Sequence, residues 1–271
     1  MGKTVKLTKE QEDIIIYNYI KLDKGMRASG KEVGVSDKIV KKILLKNNIP
    51  IKPSGGKAHQ KFFVNETFFY TQSNDLGYVI GLLGSDGCVA KNENQIYIEL
   101  QRQDKELLEK INKVIGNTRP VKDYETGRGY ENSKLYFYSQ SIKKELSTYN
   151  IIPNKTYDEN YKFPDKLKKE FYADYIRGLF DGDGCIKNTN GAITWQIDTS
   201  SSDIANKVQE ILKSIGIEAK ISILHKTNID IYRIYAYNQK NAYKIFNFLY
   251  YPNVKIYMNR KYLKFKSLLK S

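Results

Sequence analysis

The sequence predicts an α+β fold built from two related halves, with a small all-helical unit in front of them. The first observation is a repeat, because YVIGLLGSDGCV (78–89) returns as YIRGLFDGDGCI (175–186). The second is that two later landmarks of each copy follow at a nearly constant offset. The third is a composition of 41% hydrophobic and 28% charged residues, which is ordinary for a folded globular chain.

The charge of the chain indicates a polyanionic partner. Forty-five Lys and Arg against thirty Asp and Glu leave a formal net charge of +15. Such an excess says nothing about the fold, but it favours nucleic acid as the partner, with a merely basic soluble protein as the alternative. Residues 1–61 alone hold fourteen of the cationic side chains and only six acids.

Residues 1–49 are predicted to form a helix-turn-helix domain. LTKEQEDIIIYNYIKLD has the spacing of an amphipathic helix, and residues 29–48 have the spacing of two helices around a turn. Gly34 can adopt the left-handed conformation of that turn, and Ser36 can cap the second helix. The alternative is a plain helical bundle with a solvated lysine face. We expect the second helix to enter the major groove of DNA and to present four lysines, Lys38, Lys41, Lys42 and Lys46.

A basic linker is predicted over 50–61, where PIKPSGGKAHQK combines Pro, Gly and Ser with Lys. The two repeats are predicted to cover 62–160 and 161–271. Each copy has the pattern of a helix, a strand, a helix, two strands and a helix. The predicted strands with alternating or β-branched character are 95–101, 119–125, 134–140, 192–199, 219–226 and 231–238.

The opening helix of each repeat contains several glycines and ends in Asp-Gly. Interior glycine costs a helix about 1 kcal/mol relative to alanine, so we expect the two helices to approach each other closely at these glycines. Asp86 and Asp183 would then meet at two helix carboxyl ends, where the helix dipoles and their own repulsion disfavour them. A hard divalent ion such as Mg²⁺ between them removes that conflict. In a basic, DNA-binding chain, this arrangement predicts metal-dependent phosphodiester hydrolysis.

VIGLLGSDG (79–87) and IRGLFDGDG (176–184) resemble the LAGLIDADG motif, and the elements around each copy agree. The resemblance covers roughly residues 62–271 and implies a monomeric, two-repeat homing endonuclease. It implies two pseudo-symmetric αββαββα halves that form a DNA-binding saddle, and double-strand cleavage that leaves short 3′ overhangs. One departure is Gly84 in the first copy, where the second copy keeps Asp181. We interpret Asp181 as structural.

The resemblance also implies the cofactor and part of the site. Asp86 and Asp183 would be the catalytic acids and metal ligands, with Mg²⁺ as the metal, Mn²⁺ as a substitute, and Ca²⁺ supporting binding without cleavage. The family places polar or basic side chains around the metal-bound waters, and Gln101 and Arg102, which end the strand after the first motif, would be such catalytic side chains. The matching place in the second copy, within 198–200, holds only short side chains. Lys240 occupies the place of a family lysine that positions water, and Ser141 or Lys143 stands there in the first copy.

Base and phosphate contacts are expected from polar side chains on one face of the strands and in the loops. In the strand 95–101, the alternation of Ile96, Ile98 and Leu100 turns the glutamines at both ends toward DNA. Cys88 and Cys185 are interpreted as small buried residues. The predicted DNA contacts of the repeats are Gln95, Arg102, Arg119, Lys122, Arg128, Gln196, Lys220 and Arg233.

The expected partner is double-stranded DNA with a long, near-unique target site, and the expected state is a monomer. One alternative function is an intron RNA maturase, which would also be basic and whose partner would be its own intron RNA. A further alternative is a regulator that kept the saddle and lost cleavage, although retention of both aspartates favours catalysis. With no signal-like segment, no membrane-spanning run and only two cysteines, the sequence predicts a cytoplasmic protein without a membrane partner.

Overall fold

The computed structural model describes residues 7–22, 24–47, 49, 62–158, 161–189 and 191–269. The chain divides into two units, Met1–Lys61 and Phe62–Ser271. The predicted basic linker 50–61 lies outside the described residues. Among the residues described, no helix is both long enough and apolar enough to cross a membrane.

The first unit has three helices in its described part, α1 (Lys9–Ile20), α2 (Met26–Lys31) and α3 (Asp37–Lys46). Gly34 takes a φ of +72° in the turn between α2 and α3, as predicted. Ser36 occupies the N-cap position of α3, but its side chain makes no capping hydrogen bond. The core of this unit is formed by Ile15, Tyr19, Val40, Ile43 and Leu44.

The second unit consists of two successive copies of one αββαββα arrangement, which confirms the predicted fold class. A short helix, α4 (Glu66–Tyr70), precedes the first copy. The first copy comprises α5 (Asn74–Ser85), β1 (Gly87–Val89), β2 (Gln95–Gln101), α6 (Lys105–Val114), β3 (Lys122–Glu125), β4 (Glu131–Tyr138) and α7 (Gln140–Ser147). The second comprises α8 (Tyr172–Asp183), β5 (Gly184–Thr189), β6 (Ala192–Thr199), α9 (Ser202–Ser214), β7 (Lys220–Lys226), β8 (Ile229–Tyr237) and α10 (Gln239–Leu249), and α11 (Asn259–Leu268) follows it.

The two sheets have the same topology and the same register. Their antiparallel strand orders are β1-β2-β4-β3 and β5-β6-β8-β7. Gly87 pairs with Ile98 in the first sheet, and Gly184 pairs with Ile197 in the second. The residue after each isoleucine, Glu99 or Asp198, therefore occupies the same place in its half.

One face of each sheet packs against helices and the other is polar. Ile96, Ile98 and Leu100 are buried on the helix side of β2, as the alternation predicted. The interpretation of Cys88 and Cys185 as buried residues is wrong, because both are only half-buried. Each lies one residue before a buried neighbour, Val89 or Ile186, and a strand turns successive side chains to opposite faces.

The two motif helices, α5 and α8, pack against each other at their glycines, as the sequence predicted. A Cβ built on Gly178 would lie 2.7 Å from the Leu82 nitrogen and 2.9 Å from the Gly81 Cα. Any side chain there would collide with backbone atoms, which cannot rotate away. The glycines therefore set the distance between the two halves.

A trailing segment of each half binds the other half. After α7, the backbone N–H of Phe163 donates to Asp203 in the second half at 2.8 Å. After α10, Arg260 Nε donates to Asp104 in the first half at 2.9 Å. The two acceptor acids occupy matching places in the repeat, so the exchange is reciprocal.

Candidate active site

The two motif aspartates lie at the carboxyl ends of the packed helices. Asp86 caps α5, where its backbone N–H donates to the Leu82 carbonyl at 3.0 Å, and Asp183 is the last residue of α8. The two ends meet, since a Cβ built on Gly182 would lie 2.8 Å from Asp86 Oδ2. The glycine before Asp183 thus leaves room for the Ser85 side chain and the Asp86 carboxylate.

Both carboxyl groups hold their protons more tightly than a free aspartate. The pKa of Asp86 rises from 3.8 to about 6, first because burial disfavours the charged form and then because of the charge of Asp183. Desolvation by the surrounding protein also raises the pKa of Asp183, although the surface of this residue is exposed to solvent. Two like charges at the negative ends of two helix dipoles form a place where a bound cation is stabilising.

Two buried lysines, each beyond the last helix of its copy, supply positive charge beside the aspartates. Lys155 donates to the carbonyl of Gly87. Lys261 donates to the carbonyl of Gly184 at 2.7 Å and to two further carbonyls at the end of α8. Each lysine therefore holds the glycine that follows a motif aspartate. Their charges offset part of the rise in the pKa of both aspartates, while burial lowers the pKa of Lys261 to about 8.

Sequence reasoning missed both lysines. Lys155 lies in a single 3-10 turn, Lys155–Tyr157, whereas Lys261 lies in α11. They stand at different distances from the last helix of their repeat, so the constant offset that revealed the duplication does not connect them. The available signal was weaker, a lysine in the segment that follows the last helix of each copy.

Each aspartate opens onto its own cleft. The cleft beside Asp86 has a volume of about 810 Å³, and Gln101 and Arg260 are among its lining residues. The cleft beside Asp183 is smaller, about 290 Å³, and includes the end of β6, 198–200. The structure therefore brings Gln101 to Asp86, whereas the matching place in the second half carries short side chains.

The structure does not bring Lys240 to the aspartates. It lies exposed in the first turn of α10, beside the start of β6, whereas Asp183 adjoins the other end, where Gly184 pairs with Ile197. A strand rises about 3.3 Å per residue, so roughly 10 Å or more of sheet separates the two. The first-repeat counterpart Lys143 instead donates to backbone carbonyls of the β1–β2 turn.

Asp181, the earlier acid of the second motif, is fully buried. Its Oδ2 accepts hydrogen bonds from the Tyr78 hydroxyl and the Met258 backbone N–H, both at 2.7 Å. Burial raises its pKa to about 6 despite these donors. In the first half, the carbonyl of Gly84 accepts from the Tyr161 hydroxyl at 2.6 Å. These contacts support the structural interpretation of Asp181, which joins α5, α8 and the C-terminal segment.

Most of the predicted DNA contacts of the repeats lie on the polar sheet faces. Gln196 is largely covered there, with 9% of its surface exposed. Arg102 lies beyond the end of β2 and pairs with Glu131 at 2.6 Å, and Arg128 is exposed in the β3–β4 turn. The residues on the polar faces are Gln95, Lys122, Gln196, Lys220 and Arg233.

The predicted strand position of Arg119 is wrong. The strand β3 begins only at Lys122, and the Arg119 guanidinium packs over aromatic rings. Its central carbon lies 4.2 Å from the ring centre of Phe62 and 4.6 Å from that of Tyr136. Cation–π packing of this kind stabilises the arginine side chain outside the hydrogen-bonded part of β3.

The four lysines predicted to contact DNA from α3 are all exposed. Lys46 Nζ donates to both carboxylate oxygens of Glu12 in α1 at 3.1 Å. The structure thus shows the helices, the turn and the lysine face, and the docking of this face on DNA stays a prediction.

The site residues fit a divalent cation. Within the described residues, no cluster of three or more His, Cys, Asp or Glu is placed to hold a metal ion. Mg²⁺, however, is often bound by one or two carboxylates, with water and substrate phosphate as its other ligands. The paired carboxylates of Asp86 and Asp183, raised in pKa by burial, are such a donor set.

Comparison with known proteins was consistent with the repeat. The family model for a LAGLIDADG-like domain matches residues 73–149 and 170–249. An uncharacterized protein of Methanocaldococcus jannaschii is 23% identical over 199 residues, which cover 67% of this chain and 69% of that protein. The probable cell division protein WhiA of Clostridium tetani is 34% identical over 84 residues, 31% of this chain and 23% of that protein. The crystal structure of the LAGLIDADG meganuclease I-AabMI bound to uncleaved DNA is 14% identical with a TM-score of 0.46, covering 71% of this chain and 89% of that one.

Proposed function

We propose that this chain, which belongs to the family of LAGLIDADG-like domains, is a site-specific endonuclease that cleaves both strands of double-stranded DNA. The observation that carries the proposal is the meeting of Asp86 and Asp183 at two helix ends, with a buried lysine behind each. Packing alone gives no reason to place two carboxylates where each repels the other and both oppose a helix dipole. A shared cation gives that reason.

The chain's own residues have distinct roles in this proposal. Asp86 and Asp183 would hold the metal, which we propose is Mg²⁺, with Mn²⁺ as a substitute and Ca²⁺ supporting binding only. Bound there, such a metal supplies an activated water and neutralises charge on the phosphate. Lys261 donates to three carbonyls at the end of α8 and so fixes Asp183, while its charge and that of Lys155 partly offset the negative charge of the aspartates. Gln101 can orient water or phosphate oxygen in the cleft of Asp86.

The substrate proposal rests on charge and shape. The net charge of +15 favours a polyanion, and two sheets with polar faces offer a long contact surface for one duplex. We propose a monomer with a long target site, and cleavage of the two strands that leaves short 3′ overhangs. Its own intron RNA as a partner and the cytoplasm as its location stay predictions.

The second candidate function is sequence-specific DNA binding without cleavage. One relative is named as a probable cell division protein, a name that states no nuclease activity, and the aligned region covers 23% of that protein. The two candidates differ in the use of the aspartates, because a binding protein has no need of paired carboxylates facing DNA phosphates. Cleavage is therefore the discriminating measurement.

The test is selection of cleaved sites from a randomised duplex library with Mg²⁺, followed by kinetics on a selected site. Asp86→Asn and Asp183→Asn should each abolish double-strand cleavage and retain DNA binding in Ca²⁺. The matched control is Asp165→Asn, which changes an exposed carboxylate in a loop and should cut normally. Undiminished cutting by either motif variant would refute the assignment, and binding without cutting by the wild type would favour the second candidate.

A further inference from the structure

One arginine on the polar face of the second sheet is held in a fixed orientation. Arg233 on β8 lies directly opposite Asp198 on β6. Its Nε donates to Asp198 Oδ1 at 2.8 Å, and its Nη2 donates to Oδ2 at 2.7 Å. Both side chains are about one-third exposed, 31% for Arg233 and 29% for Asp198, so the pair is open to the polar face.

This pairing leaves one edge of the guanidinium available. A guanidinium has five N–H groups, and Asp198 accepts from two of them along the Nε–Nη2 edge. The Nη1–Nη2 edge still presents two parallel N–H groups. In the DNA major groove, two acceptors at matching spacing occur at guanine O6 and N7, which is why arginine pairs with guanine in a bidentate manner.

We propose that Arg233, oriented by Asp198, reads one guanine in the half of the target that the second sheet covers. The inference rests on the proposed function, since it requires that the polar faces bind duplex DNA. Asp198 also lines the cleft of Asp183, so the guanine lies on the inner side of that half-site, near the cleavage centre.

The first half lacks this reader. The residues in the same register are Glu99 and Lys134. Lys134 Nζ lies 3.8 Å from Glu99 and 3.5 Å from the ring centre of Tyr97, so its ammonium group already interacts with a carboxylate and an aromatic ring. An ammonium group is a compact charge without a planar fork, and it does not match two acceptors in the way arginine does. The guanine requirement therefore belongs to one half-site, which orients the protein on its target.

The experiment measures binding, so it does not depend on cleavage. Duplexes bound by the full chain in Ca²⁺ are selected from a randomised library, and the best site is then synthesised with each base at the position of interest. The wild type should prefer guanine there by roughly tenfold to a hundredfold. Arg233→Gln should remove that preference and bind the three other bases about as well as the wild type does. Asp198→Asn should keep the preference but weaken it several-fold, because the guanidinium loses its charged anchor.

The control is Lys213→Gln on α9, a helix that covers the other face of the sheet, and it should leave the base preference unchanged. A guanine preference that persists in Arg233→Gln overturns the inference. An equal loss of affinity for all four bases also overturns it, because that is the behaviour of a phosphate contact. If the wild type binds no duplex, the inference and the proposed function fail together, whereas selective binding without cleavage removes the nuclease assignment and leaves the guanine reader standing.

Discussion

Replacing Asp86 by asparagine should stabilise the metal-free protein at neutral pH. Burial and the charge of Asp183 raise the pKa of Asp86 from 3.8 to about 6. At roughly 1.4 kcal/mol per pKa unit, this shift corresponds to about 3 kcal/mol of lost stability when the group is charged. The carboxylate is only partly buried, so solvent screening reduces the expected gain of Asp86→Asn to about 1–2 kcal/mol.

The sign of the pH dependence follows from the direction of the shift. The folded state binds the Asp86 proton more tightly than the unfolded chain, so the penalty is absent below pH 3.8 and develops as the pH rises through 6. The gain from Asp86→Asn should therefore be about half as large at pH 5 as at pH 7.5.

Unfolding in EDTA can be followed through Trp195, the single tryptophan, which is buried and stacks on Phe180 of α8 at 5.7 Å. A gain of 1–2 kcal/mol should raise Tm by roughly 2–8 °C in a unit of this size. The control Asp165→Asn should leave Tm unchanged at both pH values. An Asp86→Asn variant that is no more stable than wild type at pH 7.5, or whose gain does not depend on pH, would contradict the electrostatic account of the site.

Three further predictions concern the helix contact, the buried lysine and the first unit. Gly178→Ala should lower the free energy of unfolding in urea by about 3 kcal/mol or more, because the new methyl group meets backbone atoms of α5. The control Gly127→Ala, with open space around it, should change that free energy by less than about 0.5 kcal/mol. Lys261→Met should slow cleavage, measured by single-turnover kinetics, by roughly a hundredfold and should leave DNA affinity in Ca²⁺ nearly unchanged. A cleavage rate equal to that of the wild type would show that the lysine has no part in the reaction. Deletion of residues 1–50 should weaken binding and shorten the footprint at one end without removing cleavage, and an unchanged footprint would rule out DNA docking by the lysine face.

The parts of the fold that repeat in the sequence were predictable, because duplication doubles each signal. Glycine at interior helix positions pointed to the close approach of α5 and α8, and alternation in 95–101 identified the buried face of β2. The start of β3 was not predictable in the same way. The preference of Arg119 for aromatic rings is a tertiary contact, and it has no counterpart in local periodicity.

Within the candidate site, too, the residues in the repeated motif were predictable and those outside it were not. Asp86 and Asp183 lie within the repeated motif, so the sequence located both. Lys155 and Lys261 lie beyond the last helix of each copy, Lys155 in a 3-10 turn and Lys261 in α11, where the two copies differ in length and local structure. The placement of Lys240 rested on an offset, and an offset does not reveal at which end of a strand a residue lies. Only the sheet register shows that Lys240 and Asp183 are at opposite ends of β6.

The reciprocal bonds of the trailing segments make the halves mutually dependent. Asp104 is satisfied by Arg260 from the far end of the chain, and Asp203 by Phe163 from the connection between the copies. If the polypeptide were cut near Lys169, the N-terminal fragment would contain Phe163 and the C-terminal fragment would contain its acceptor Asp203. Likewise, Arg260 and its acceptor Asp104 would lie on different fragments. Each fragment would therefore need the other to complete these bonds. Co-produced fragments would then be expected to complement one another, which makes the chain a natural template for a conditionally assembled split protein.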